Sequence, residues 1–416
     1  MSAPELVEDF FRHEYGRLVA TLVRRVGVQH LAAVEDAVQG ALLTALQSWP
    51  LRGRPKQPSA WLYTVASNAL VGQLRQGRRR QELLDQRLPV ASAVQAPPDI
   101  TVLGSEMQDD LLRLLFVCCH ESLPEQTQVV LALKALCGFS VKEIAQRLLV
   151  RQASVYKRLE RARARLRDHR ELDDLGPAQY EQRMPAVHRI IYAVFTEGYL
   201  SNHASQAIRS ELCREALRLG RLLVQHPQGQ IPETFALLAL MHLHAARLGA
   251  REDGAGGLVL LQDQDRSRWD AHEIAEGLQW LQRSAEGDRF CRYHAEAGIA
   301  AEHCLAPSFE QTGWQRIVQC YELLERISPS ALHTLNRAVA VAEWKGPQAG
   351  LQVLAGLEPP TWLQGSYMWS AVLADLHRRC GHEAKAARYR ELALDAAPSP
   401  AVRALLRRRF AQTLCD

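Results

Sequence analysis

A chain of 416 residues is too long for one compact core, so two or three domains are expected. Hydrophobic residues make up 47% and charged residues 23%, the balance of a soluble globular protein, and no run of eighteen apolar residues offers a membrane span. Nine cysteines at irregular spacings point to reduced thiols in a cytoplasmic protein rather than a disulfide framework, and the acidic start MSAPELVEDFFRHEYG does not read as a signal peptide.

Leu and Ala dominate and strand-like alternation is scarce, so the expected fold class is all-α. The net charge of +4 alone implies no polyanion partner, but its distribution is uneven. Ser140 to Arg170 holds ten Lys/Arg against three acids, and Arg75, Arg78, Arg79 and Arg80 make a second basic cluster.

In chain order, residues 5–82 read as a first helical domain. LAAVEDAVQGALLTALQSW (31–49) places Ala33, Val34, Ala37, Val38, Ala41, Leu42, Ala45 and Leu46 in one apolar stripe, which Pro50 is expected to stop. LRGRPKQP (51–58) reads as a loop, and SAWLYTVASNALVGQLRQGRRR starts a helix with Ser59 as N-cap. A flexible linker is expected over 83–107, where QRLPVASAVQAPPD lacks periodicity. Residues 108–170 form a second helical domain, followed by a hinge at ELDDLGPAQ.

Residues 180–416 read as a large helical extension. From about residue 300 it repeats: GWQRIVQCYELLERISP, GPQAGLQVLAGLEP and GHEAKAARYRELALDAAP begin at Gly313, Gly346 and Gly381, near the 34-residue period of tetratricopeptide helix pairs.

FSVKEIAQRLLVRQASVYKRLERARARLR carries the clearest chemistry. A helix over Val141–Leu148, a corner at Leu149–Arg151 and a second helix with Val155, Leu159, Ala162 and Leu166 on its buried face form a helix-turn-helix pattern. The exposed residues leading the second helix are Arg151, Gln152, Tyr156, Lys157, Arg158 and Arg161, side chains that reach base edges or grip phosphates. The bland alternative is a solvated basic helix in a bundle. In PSAWLYTVASNALVGQLRQGRRR, aromatic Trp61 and Tyr63 precede polar Asn68 and a basic end, a combination that suits single-stranded DNA; the alternative is that Trp61 and Leu62 are simply core.

The order of these segments over residues 5–170 resembles the extracytoplasmic-function sigma factors of the sigma-70 family. The stretches LLFVCCHESL, FTEGYL, LLALMHLHAARLGAR, LVLLQDQDRSRW and LNRAVAVAEWKGP are similar to a subgroup with a tetratricopeptide-like C-terminal extension. That resemblance implies core RNA polymerase and promoter DNA as partners, and no cofactor, metal or catalytic residue. It implies that Glu35, Asp36 and Gln39, on the polar face of 31–49, with Trp49 at its end, bind the polymerase. It further implies that Trp61, Asn68, Arg75, Arg78 and Arg79 hold the −10 element as a single strand, that helix 152–167 reads the −35 element as duplex, and that the linker threads the polymerase between them. The chain departs from the family where an Ala-Arg-Asn…Asp pattern reads Ala66-Ser67-Asn68…Gly72.

Other constellations read as structural. Cys118-Cys119-His120 lacks a paired CxxC and suits packing, and His242 and His244, two residues apart, do not share a helix face. Asp263, Asp265 and Asp270 in LQDQDRSRWD could serve acid–base or cation chemistry, or brace a loop with Arg266 and Arg268; no phosphate-binding glycine motif accompanies them. Three functions therefore compete: a sigma factor whose extension regulates it or binds a protein or peptide, a one-component regulator with a sensing solenoid, and an enzyme centred on the aspartates.

Overall fold

In the computed structural model, which describes residues 3–85, 103–148, 150–167, 176–199, 210–253 and 257–412, the Leu- and Ala-rich segments form nineteen α-helices. Among the described residues there is no strand beyond one isolated bridge, Glu252 with Leu258. No helix among them is long and apolar enough to cross a membrane. The chain divides into two units, Met1–Ala193 and Val194–Asp416.

The first unit contains α1 (Ala3–Val26), α2 (Leu31–Arg52), α3 (Pro58–Asp85), α4 (Leu103–Cys118), α5 (Glu125–Ala135), α6 (Val141–Arg147), α7 (Gln152–Arg167) and the first part of α8 (Pro177–Tyr199). Apolar residues at helical spacing build its core: Leu18 and Leu22 on α1, Val34, Val38 and Ala41 on α2, Leu62, Ala66 and Leu70 on α3, and Leu111 and Leu115 on α4. Helix α1 also runs hard against the end of α5, where a Cβ on Gly16 would lie 2.1 Å from the Leu136 carbonyl oxygen. Only glycine fits there.

Three local expectations are corrected. Pro50 does not stop α2, which continues to Arg52 and ends at Gly53 with φ 81°; a proline this near the C-terminus removes a single intrahelical bond, and the left-handed glycine supplies the stop. Ser59 lies inside the first turn of α3 rather than capping it, because Pro58, with φ already set for a helix, occupies the first position. Helix covers 83–85 and 103–107 of the expected linker; the rest of it, 86–102, lies outside the described residues, as does most of the hinge at 171–179.

In the second unit, α9 (Ser210–Gln225), α11 (Ala271–Ser284) and α12 (Arg292–Leu305) pack against α10 (Pro232–Ala245). Helix α10 is apolar on all sides and buries every residue from Thr234 to Leu243. Then follow α13 (Trp314–Ile327), α14 (Ala331–Lys345), α15 (Pro347–Leu354), α16 (Thr361–Gln364), α17 (Tyr367–Arg379), α18 (Glu383–Asp395) and α19 (Pro400–Gln412). The repeat glycines sit at helix starts: Gly313 caps α13, Gly346 caps α15 and Gly381 precedes α18. Helix α19 returns to the loop after α10, where Arg408 reaches the Asp253 carboxylate at 2.8 Å and the Leu258 carbonyl at 2.7 Å.

Candidate nucleic-acid interface

Helix α6 begins on a capping box: Ser140 Oγ accepts from the Glu143 backbone N–H at 3.2 Å, and Glu143 Oε2 accepts from the Ser140 N–H at 2.8 Å. The corner is held by the Val150 N–H donating to the Ala145 carbonyl at 3.0 Å. Helix α7 then buries Val155, Leu159, Ala162 and Leu166, the stripe expected from their spacing of four, three and four.

The opposite face of α7 divides its cations into two groups. Arg151, Gln152, Tyr156, Lys157 and Arg161 are exposed, Tyr156 to 57%. Three others are engaged within the unit: half-buried Arg158 donates to Gln126 Oε1 at 2.9 Å, Arg165 to the Ser122 carbonyl, and Arg163 pairs with Glu35 on α2. The helix therefore offers free cations and an amide donor from Arg151 as far as Arg161, while Arg158, Arg163 and Arg165 fasten it to the scaffold. Arg158, grouped with the reading residues by sequence, is tethered.

Glu35 does not lie on the polar face of α2; it is 1% exposed. Burial raises its carboxyl pKa against the opposing pull of Arg163 and Lys134. Its partner is 128 residues away, so no local pattern could reveal that α7 covers it. Asp36 and Gln39 are exposed as expected. Leu46, placed in the buried stripe by sequence, is exposed at the surface together with Leu43 and Leu51. These three leucines and the two polar residues give α2 an amphipathic outer face, of which periodicity had assigned Leu46 alone to the apolar stripe.

The aromatics of α2 and α3 divide by burial. Trp49 and Trp61 are both half-buried and meet edge to face, ring centroids 5.6 Å apart, with Phe11 stacked on Trp49 at 5.7 Å. Tyr63 is buried beneath Arg25, so it is a core residue rather than a stacking platform. Asn68 and Arg75 are exposed on α3. The side chains of Arg78 and Arg79 lie outside the described residues.

The remaining constellations are structural here. Cys118, Cys119 and His120 are buried, burial pushes both thiols up, and His120 Nδ1 bonds Ser122 Oγ at 2.7 Å. Asp265 Oδ1 accepts from Ser267 and Asp270 Oδ1 from the His272 and Glu273 N–H groups, so both cap helical turns, and Asp263 is exposed. His242 Nδ1 pairs with Glu273 Oε2 at 2.7 Å, whereas His244 faces the Tyr199 ring at 4.8 Å.

A capped short helix, a tight corner and an anchored second helix with exposed Arg, Gln, Tyr and Lys define a helix-turn-helix DNA-binding protein. Comparison with known proteins refines this. The family model described as "Sigma-70 region 2" matches residues 11–80, and "Sigma-70, region 4" matches 113–166. "Family of unknown function (DUF6596)" matches 183–285. A protein of Rhizobium meliloti (strain 1021) described as "Uncharacterized protein R00370" is 36% identical over 374 residues, covering 88% of this chain and 87% of that protein. The "ECF RNA polymerase sigma factor SigE" of Mycolicibacterium smegmatis is 27% identical over 163 residues, covering 39% of this chain and 60% of that protein. No solved structure matches. The chain belongs to the sigma-70 family, as a sigma factor of the extracytoplasmic-function type with a C-terminal helical extension.

Proposed function

We propose that this sigma factor binds core RNA polymerase through α2, holds the promoter −10 element through α3 and reads the −35 element with the first half of α7. The observation that carries the proposal is the division of α7: four buried apolar residues hold the helix, and Arg151, Gln152, Tyr156, Lys157 and Arg161 stand free from its start to just past its middle. Arg and Gln make bidentate contacts with guanine and adenine edges in the major groove, and Lys grips phosphate or guanine. Asn68 and Arg75 offer α3 a polar, cationic surface suited to a melted strand, and Trp61 its half-buried ring. On α2, the exposed Asp36 and Gln39 beside Leu43 and Leu46 suit a protein partner better than DNA. Two weak DNA modules on one chain gain through effective concentration once both engage.

The second unit acts in this reading as a regulatory or protein-interaction module. Support comes from the large aromatic and aliphatic side chains it leaves exposed, Leu323, Trp344 and Trp362 among them, residue types that anchor protein interfaces.

In vitro transcription with core polymerase and the full-length chain tests the proposal. The double variant Lys157→Ala/Arg161→Ala should initiate at least about tenfold less at the chain's promoters, since each base contact carries about 1–3 kcal/mol. Core binding should be unchanged. Undiminished initiation by the double variant would remove α7 as the reading helix.

A further inference from the structure

In the second unit, buried Arg247 and half-buried Arg266 lie without a carboxylate partner among the described residues. Trp269, itself buried, has the Arg266 guanidinium 4.5 Å from its ring centroid and that of Arg247 at 5.3 Å. Arg247 is only 7% exposed, and its Nε donates at 3.3 Å to Gln264 Oε1, an uncharged amide. Arg266 Nη1 donates to the carbonyls of His303 at 2.6 Å and Ala306 at 2.8 Å. Neither guanidinium forms an ion pair among the described residues. The carboxylates of the same loop are committed elsewhere: Asp265 and Asp270 cap turns and Asp263 faces solvent. Glu310, which Arg266 feels across some distance, is exposed and bonded to Ser308.

An arginine cannot shed its charge, and an unpaired ion in a protein interior costs several kcal/mol. The polar atoms around these two arginines deepen the imbalance. Arg266 Nη2, Trp269 Nε1, His303 Nδ1 and His244 Nδ1 are all enclosed without a hydrogen-bond partner. Burial, with Arg247 and a second arginine, depresses His303 and His244 to about 3, so both rings are neutral and each has one N–H to give. The indole and both guanidiniums are donors only. The centre is rich in donors, each imidazole keeping one acceptor nitrogen, and it lacks negative charge among the described residues; bound water could supply further acceptors but not charge.

We propose that this centre is an oxyanion site that takes a phosphate group, with Arg247 and Arg266 supplying the charge and the Trp269 indole N–H and the imidazoles of His244 and His303 supplying neutral donors. A phosphate dianion matches two guanidiniums in charge and offers enough oxygens for the remaining donors. Most of the site, Arg247, Gln264, Arg266, Trp269 and His244, lies within residues 183–285, the segment matched by the family of unknown function, and His303 is supplied from beyond it. It is independent of promoter reading and needs neither DNA nor polymerase.

Titration of the full-length protein with inorganic phosphate and, separately, with glycerol 3-phosphate tests the site, by calorimetry and thermal unfolding at constant ionic strength. Saturable binding and a rise in Tm are expected, and the tighter of the two probes identifies whether the group arrives free or as a monoester. Arg247→Met should weaken binding at least tenfold while raising the Tm of the phosphate-free protein, because the unpaired charge is gone. Trp269→Phe, which keeps the ring and removes the N–H, should fold and bind several-fold more weakly, and serves if the methionine variant does not fold. The proposal is overturned if neither probe binds saturably, if acetate binds as tightly as both, or if the variants bind phosphate like the native chain.

Discussion

Helix α7 and the loop following α10 are both rich in arginine, yet their surroundings differ in solvent and in partners. On α7 the leading cations project into water and contribute little to holding the fold, so their role is in what they contact. Around Trp269, Arg247 is buried and Arg266 half-buried, bonded to carbonyls and an amide and without a carboxylate partner among the described residues. Arginine on a solvated helix face costs almost nothing and can be held ready for DNA; arginine in an interior is a standing electrostatic cost that only a counter-ion offsets. Composition treats the two regions alike. Burial separates them.

That contrast can be broken most severely at the apolar face of α7. Leu159→Ala should lower the unfolding free energy by about 2–5 kcal/mol, because it opens a cavity beneath the recognition helix. Urea unfolding reads this directly, and DNA binding should fall with it. A loss under about 1 kcal/mol would mean the helix is held some other way.

Lys157→Ala and Arg161→Ala, on the other side of the same helix, sharpen the contrast by inverting it. Each should cost about 1–3 kcal/mol in promoter discrimination. Both should leave urea unfolding within about 0.5 kcal/mol of the native chain, since neither side chain has a partner to lose. Binding to non-specific DNA should also lose salt dependence, by a slope of about one per phosphate contact removed.

In the second unit the depressed imidazoles predict acid sensitivity. His244 and His303 are held near 3 against an ordinary value near 6.5, so the folded state binds fewer protons than the unfolded state between those limits. Their contribution is therefore present above pH 6.5 and lost as pH falls toward 3, by up to about 1.4 kcal/mol per pH unit for each ring. Unfolding measured at pH 7.5 and 5.5 should show the loss, and His303→Gln should remove about half of it. An unchanged pH dependence in that variant would sink the assignment.

The smallest effect is expected at Asp270, whose Oδ1 accepts from two N–H groups at the start of α11. Asp270→Ala should cost about 1 kcal/mol and leave transcription untouched, separating a capping aspartate from the catalytic one that its neighbourhood suggests. Loss of function beyond that would reopen the enzymatic reading.

What could be read in advance follows the range of the interactions. The stripe Val155, Leu159, Ala162 and Leu166 and the capping box of Ser140 and Glu143 are set by neighbours within four residues, so the helix-turn-helix was legible. Leu46 and Tyr63 were misassigned because period 3.6 marks a face as apolar or mixed but does not say which neighbour covers it. The same limit hid Glu35, whose only disclosure is an arginine on a helix 128 residues further along the chain.

The sequence by itself therefore determined the helical class, the order of its segments and the residues that lead α7, because helix formation and capping depend on local spacing. Only the tertiary structure decided that Glu35 is buried, that the α7 cations divide into free and fastened sets, and that Arg247 and Arg266 share one indole without a carboxylate. Desolvation and charge pairing depend on which distant segments enclose a group, and that is a property of the packed chain rather than of any window along it.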